Sequence, residues 1–91
     1  MKNKVALIIG AGDAIGSAIA RKFSQRGLTV CLTRRNEEKL KPLIEEISAA
    51  GGEAFGFGCD ARKEDATEAL FKNIEDNIGE IDVVVFNVGA N

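Results

Sequence analysis

The chain has 91 residues, 45% of them hydrophobic and 29% charged, with a formal net charge of −2. This is the composition of a folded chain rather than a disordered one, and its length allows one small domain that buries about 60–65% of its unfolded surface. The slight acidity argues against a nucleic-acid partner, which calls for a basic face.

At the N-terminus, Met1-Lys2-Asn3-Lys4 leads into only five apolar residues before Gly10. That run is too short for a signal peptide or a membrane span, so no membrane partner and a cytoplasmic location are expected. The run itself, Val5-Ala6-Leu7-Ile8-Ile9, reads as a buried strand, and Ile15 to Arg26 reads as a helix. Between them stands Gly10-Ala11-Gly12-Asp13-Ala14-Ile15-Gly16. Glycines in such a turn let backbone N–H groups approach a ligand without Cβ atoms in the way. The helix behind presents unpaired donors and a partial positive charge. A pyrophosphate suits that place, which points to a dinucleotide-binding βαβ unit. The competing reading is a tight turn that binds nothing.

Gly27 stops the first helix, with Arg26 in its last turn, and Leu28 to Thr33 reads as a second strand. Asn36 is a candidate N-cap, followed by Glu37 and Glu38 where the helix dipole favours acids. Leu40, Leu43, Ile44 and Ile47 then make a helical stripe ending near Gly51-Gly52, with a kink or a late start expected at Pro42. Ala54 to Cys59 is a glycine-containing third strand. Ala66, Leu70, Ile74 and Ile78 mark a third helix from Lys63 to Ile78, closed by Gly79. Asp82 to Val88, centred on Val83-Val84-Val85-Phe86, is a fourth strand expected to be buried on both faces. Cys31 and Cys59 form no C-x-x-C, and the chain has no histidine. Two reduced, mostly buried thiols and no metal site are therefore expected.

The order β-α-β-α-β-α-β predicts an α/β fold, a Rossmann-type doubly wound parallel sheet with strand order 3-2-1-4. Its ligand crevice would open at the carboxyl ends of strands one and four, where the glycine turn lies. The fourth strand would be an edge with an unbroken apolar run and no lysine, proline or bulge to protect it. Its face beside the third helix would lack cover. Residues 1–91 are thus expected to be part of a larger domain, with a swapped or obligate oligomer of the short chain as the alternative.

The turn is not G-x-G-x-x-G, because Gly12 to Gly16 holds one residue too many, and no Gly-Lys-Ser/Thr follows to make a P-loop. It fits G-x-x-x-G-x-G with Ala14 in place of the middle glycine. In this it resembles the short-chain dehydrogenases/reductases, although Ile9 stands where that family often has threonine. At the end of strand two, where a dinucleotide fold for NAD carries an acid, this chain has Arg34 and Arg35. Two guanidiniums can hold a 2′-phosphate by bidentate contacts, so NADP is expected over NAD. The bland alternative is a solvated pair partnering Glu37 and Glu38. Asp13 stands against NADP, since NADP-preferring members often carry a basic residue there.

The resemblance implies further candidates. Asp60, beside Ala61, would accept a hydrogen bond from the adenine amino group, with capping of the following loop as its competing role. Phe86-Asn87-Val88-Gly89 resembles the family's Asn-Asn-Ala-Gly segment and keeps Asn87 and Gly89. That backbone would border the adenosine ribose, while Asn87 would tie strands together. Gly10, Gly12, Asp13, Ala14, Ile15 and Gly16 complete the candidate cofactor contacts. The family's catalytic tyrosine, lysine and serine lie later in longer chains, and this one has no tyrosine. No catalytic residue is therefore assigned within it. The implied whole protein is an NAD(P)-dependent oxidoreductase acting on a small alcohol or carbonyl substrate, as a homo-oligomer. The alternative is a non-catalytic nucleotide-binding or interaction module.

Overall fold

In the computed structural model, which describes residues 3–11, 14–60 and 62–87, the apolar run Val5 to Ile9 lies at the centre of the molecule. All five residues are buried, because helices cover both faces of their strand. That strand is β1 (Asn3–Ile9), followed by α1 (Ala14–Gln25), β2 (Thr29–Arg34), α2 (Lys41–Ala49), β3 (Ala54–Gly58), α3 (Glu64–Asn77) and β4 (Gly79–Phe86). The four strands are parallel in the order β3-β2-β1-β4, as the alternation of elements predicts.

Strand alternation divides the core in two. Ala6 and Ile8 of β1 with Val30 and Leu32 of β2 pack against Ala20 of α1 and Leu43 and Ile47 of α2. Val5, Leu7, Ile9 and Cys31 point the other way, to Leu70 and Ile74 of α3. One face of the sheet thus carries two helices and the other carries one.

Local chemistry sets the boundaries. Gly27 adopts φ +92° just past α1 and so turns the chain toward β2. Arg26, expected in the last helical turn, lies one residue beyond it, and Lys22 is the basic residue of that turn. The Asn36 side chain caps a single 3-10 turn (Glu37–Leu40), accepting from the Glu38 N–H at 3.2 Å. Pro42 then falls in the first turn of α2, where its missing N–H costs nothing, so the late start is what occurs. Gly79 does not close α3 with a left-handed turn. It opens β4, paired with Asn3 so closely that a side chain there would strike the Asn3 carbonyl.

Two expectations for β4 are corrected. Val83, Val84 and Val85 are only partly buried, and Phe86 is 64% exposed, because among the described residues no strand pairs the outer side of this edge; Val83 and Val85 pack toward the α1 side and Val84 toward α3. The edge does carry a bulge: the register slips so that Val5 meets Ile81 and Ala6 meets Val83, leaving exposed Asp82 over. The Ile81 N–H beside it donates to the Glu75 carboxylate of α3 at 2.9 Å. The first half of the edge is thus guarded by charge and twist, and the second half is bare.

Both cysteines are free thiols, Cys31 buried and Cys59 half-buried. Burial pushes the Cys31 thiol up to about 12, so almost none of it is thiolate at pH 8. Alkylation of the folded protein at pH 8 is therefore expected to label Cys59 first and Cys31 only on unfolding, as read by peptide mass spectrometry. Stability should also fall as pH rises above the ordinary thiol range, because the unfolded chain can then release a proton that the folded chain holds.

Candidate functional site

Parallel strands end at one edge, so the segments following β1, β2, β3 and β4 meet there. After β1, Gly10 adopts φ +89°. Its N–H and that of Ala11 both donate to the Thr33 carbonyl of β2, at 3.0 and 2.9 Å. These two donors serve the neighbouring strand, and α1 begins at Ala14 with its N-terminus at the same edge. Ile15 in the first turn of α1 exposes 64% of its surface at the mouth of the crevice.

Gly16 explains how the turn closes. A Cβ there would lie 2.7 Å from the Gly10 carbonyl oxygen, 2.9 Å from the Ala11 Cα and 3.0 Å from Asn87 Nδ2. Only glycine lets α1 sit this close to the end of β1. The Asn87 amide donates to that same Gly10 carbonyl at 3.1 Å, and its backbone N–H donates to the Ile9 carbonyl at 2.8 Å. Asn87 thus ties the end of β4 to the turn. Ser17 Oγ adds a bond to the Ala11 carbonyl at 3.3 Å.

A second cluster follows β2 and β3. Arg34 is half-buried at the end of β2, and its carbonyl accepts the Cys59 N–H at 3.0 Å; Arg35 beside it is exposed. Asp60, with 20% of its side chain exposed, accepts from Arg62 three times: the backbone N–H and Nε reach Oδ1, and Nη2 reaches Oδ2, each at 3.0 Å. The side-chain and backbone bonds from Arg62, helped by the charges of Arg62 and Arg35, hold the Asp60 carboxyl well below the usual carboxylate range against the opposing effect of burial. Asp60 therefore does cap the turn before α3, where its carbonyl also accepts the Lys63 N–H. Glu37 turns its Oε1 to the Gly58 N–H at 3.0 Å, sealing the outer edge of β3.

The structure thus joins Gly10, Gly16 and Asn87 by direct contact and places Arg35 within electrostatic reach of Asp60. The Thr33 carbonyl, one residue before Arg34, links the two clusters. Gly12, Asp13, Ala61 and Gly89 lie outside the described residues. Sequence reading misses Arg62, whose only signal is the Asp-x-Arg spacing of a turn. Glu46, likewise without a signal in the sequence, receives Nε and Nη2 of Arg21, joining α2 to α1. A cleft of about 360 Å³ lies where α1 and α2 end, lined by Arg21, Ser24, Glu46 and Gly52, away from these clusters and without convergent reactive groups.

Residues 4–91 match the short chain dehydrogenase family. The chain is similar to a 3beta-hydroxysteroid dehydrogenase of Mediterraneibacter gnavus, 37% identical over 86 residues that cover 94% of this chain and 31% of that protein. It is also similar to the crystal structure of a short-chain dehydrogenase from Rhodopseudomonas palustris. That match has a TM-score of 0.90 and 49% identity, covering 100% of this chain and 42% of the other. A metagenomic short-chain oxidoreductase in complex with NADP aligns with a TM-score of 0.91 and 42% identity, over 99% of this chain and 41% of the other. The chain spans about a third of the length of the curated relatives it matches.

Gly16→Ala is expected to lower stability by about 1–3 kcal/mol, since backbone must move to admit the methyl group. Asn87→Ala should lower it by about 1 kcal/mol through the lost bond to Gly10. Because both act on one carbonyl, the double variant should lose less than the sum in urea unfolding. Full additivity would show that Asn87 and Gly16 do not share the turn.

Proposed function

The chain belongs to the short-chain dehydrogenase family, and from that premise we propose that residues 1–91 are the N-terminal, dinucleotide-binding part of a single Rossmann domain. The whole protein would be an NAD(P)-dependent oxidoreductase that transfers hydride between NAD(P)H and an alcohol or carbonyl substrate. The observation that carries this reading is the Gly10–Gly16 turn, closed under α1 at the carboxyl ends of β1 and β4. The non-catalytic alternative is not favoured, since the relatives are named dehydrogenases and reductases.

The residues present fit the cofactor. Close approach at Gly16 and the N-terminus of α1 suit a pyrophosphate, which the helix dipole would hold without a lysine. Gly12, Asp13, Ala14 and Ile15 belong to that turn. Arg34 and Arg35 would take the 2′-phosphate of NADP, Asp60 with Ala61 the adenine, and Asn87 with Gly89 the ribose side. The NADP complex of the similar metagenomic enzyme supports NADP over NAD. When bound, the nicotinamide supplies or accepts the hydride. The chain has no tyrosine, so the proton transfer falls to residues beyond these 91.

The uncovered sheet face supports the same assignment. Phe86 is 64% and Phe55 39% exposed on the side that α3 covers only in part. We place the protein in the cytoplasm, in keeping with free Cys31 and Cys59 and with no helix among the described residues long and apolar enough to cross a membrane. The homo-oligomeric state rests on the family resemblance alone.

Reading the coding sequence past the Asn91 codon should find a serine followed by Tyr-x-x-x-Lys; an immediate stop codon with no partner chain would sink the enzyme reading. Fluorescence titration of the intact protein should give NADPH roughly 10–100-fold tighter binding than NADH, the worth of a charged hydrogen-bonded pair. Arg34→Asp should shrink that preference. Equal affinities in the unaltered protein would remove the arginines from the site.

A further inference from the structure

The turn after β3 contains a construction that a simple loop cap does not need. An Asx-type turn requires one bond, from the Arg62 N–H to Asp60 Oδ1. Here the guanidinium of the same residue folds back and adds two more, Nε to Oδ1 and Nη2 to Oδ2, each at 3.0 Å. The result is a fork that fixes the plane of the carboxylate as well as its position. The two partners also differ in solvent access, with 20% of the Asp60 side chain exposed against 73% for Arg62. The arginine reaches inward from solvent to an acid that the fold already holds at the crevice.

A carboxylate offers roughly four acceptor positions. Both on Oδ1 are taken, by the backbone N–H and Nε, and one on Oδ2 is taken by Nη2. Among the described residues a single acceptor position on Oδ2 remains, with its direction set by the fork. Such a site suits one N–H donor and rejects a carbonyl oxygen in the same place, because two acceptors would then face each other. Without the fork the side chain could rotate, hydrate on both oxygens and lose much of that discrimination.

We propose that Arg62 is a positioning residue for base recognition: by forking onto Asp60 it leaves one aimed acceptor that distinguishes the amino group of adenine from the carbonyl of hypoxanthine. This inference rests on the reading of Asp60 as an adenine contact. It adds a residue that touches neither base nor phosphate and acts through its neighbour.

The test compares binding of NADPH with its deamino analogue, the hypoxanthine dinucleotide, by the intact protein. The two ligands share every phosphate, so their affinity ratio isolates the base. The unaltered protein should favour NADPH about tenfold, the worth of one such hydrogen bond. In Arg62→Ala the ratio should fall toward one while the thermal midpoint changes little. Arg62→Lys keeps the charge but not the fork, and should also fall well below the native ratio. A ratio preserved in Arg62→Lys would overturn the geometric basis of the proposal, as would one preserved in Arg62→Ala. Asp60→Asn separates the two levels. If it abolishes discrimination while Arg62→Ala does not, the Arg62 inference alone fails. If the unaltered protein itself shows no preference, the adenine reading of Asp60 fails, and the inference with it. Should Arg62→Ala fold poorly, Arg62→Gln gives the same comparison, with one donor in place of the fork.

Discussion

The carboxyl edge of this sheet depends on how near α1 can come to the end of β1. At Gly16 the helix is so close that a single methyl group would lie 2.7 Å from the Gly10 carbonyl oxygen. That carbonyl is also where the Asn87 amide donates, so the distance that glycine permits brings the end of β4 into the same contact. Gly10 itself holds a positive φ and sends its N–H, with that of Ala11, to the Thr33 carbonyl. Three strand ends are therefore bound through one short turn. A bulkier residue at position 16 would push the helix away and loosen β1, β2 and β4 together.

The same geometry explains which backbone groups can serve a ligand. Donors at Gly10 and Ala11 are consumed by the sheet, which fixes the end of β1 against β2. The N-terminus of α1, with the positive end of its dipole, stands beside this fixed strand end, where little conformational entropy is left to lose. A flexible glycine loop would offer more donors, each at a higher ordering cost. The positive φ at Gly10 and the exclusion of a Cβ at Gly16 are both met by glycine at no steric cost.

The sequence discloses the architecture because it is built from local periodicities. Leu43 and Ile47, or Leu70 and Ile74, recur at helical spacing, and all four are buried where the pattern puts them. Strand order follows from the alternation of elements and the handedness of crossovers. What the sequence does not disclose depends on context. Val83 to Phe86 has the composition of a fully buried strand, yet its exposure is decided by what lies beside it. The bulge at Asp82 is a register event between two strands, invisible in either alone. Among site residues, Gly10, Gly16 and Asn87 are legible because glycine and a terminal asparagine have few other reasons to stand there. Arg62 is not legible, since an arginine in a polar turn resembles any solvated surface charge until its partner is seen. Glu46 escapes for the same reason, because Arg21 approaches it from another helix.

How the charges at the ends of β2 and β3 are paired bears on what this edge can attract. A chain of net charge −2 would repel a polyanion on average. Around the ends of β2 and β3, however, Arg34, Arg35 and Arg62 stand against Asp60 and Glu37. Both acids are already engaged, Asp60 by Arg62 and Glu37 by the Gly58 N–H. At a Debye length of about 8 Å the more distant surface acids are largely screened, so an approaching anion responds mainly to this local set. Engaging the acids matters as much as adding the arginines. A carboxylate with idle lone pairs would recruit the neighbouring guanidiniums, whereas the fork satisfies most of Asp60 from one side and leaves Arg35 to face outward. Asp60 and the arginines thus stand side by side at this edge, the arrangement that the proposed base and phosphate contacts would need.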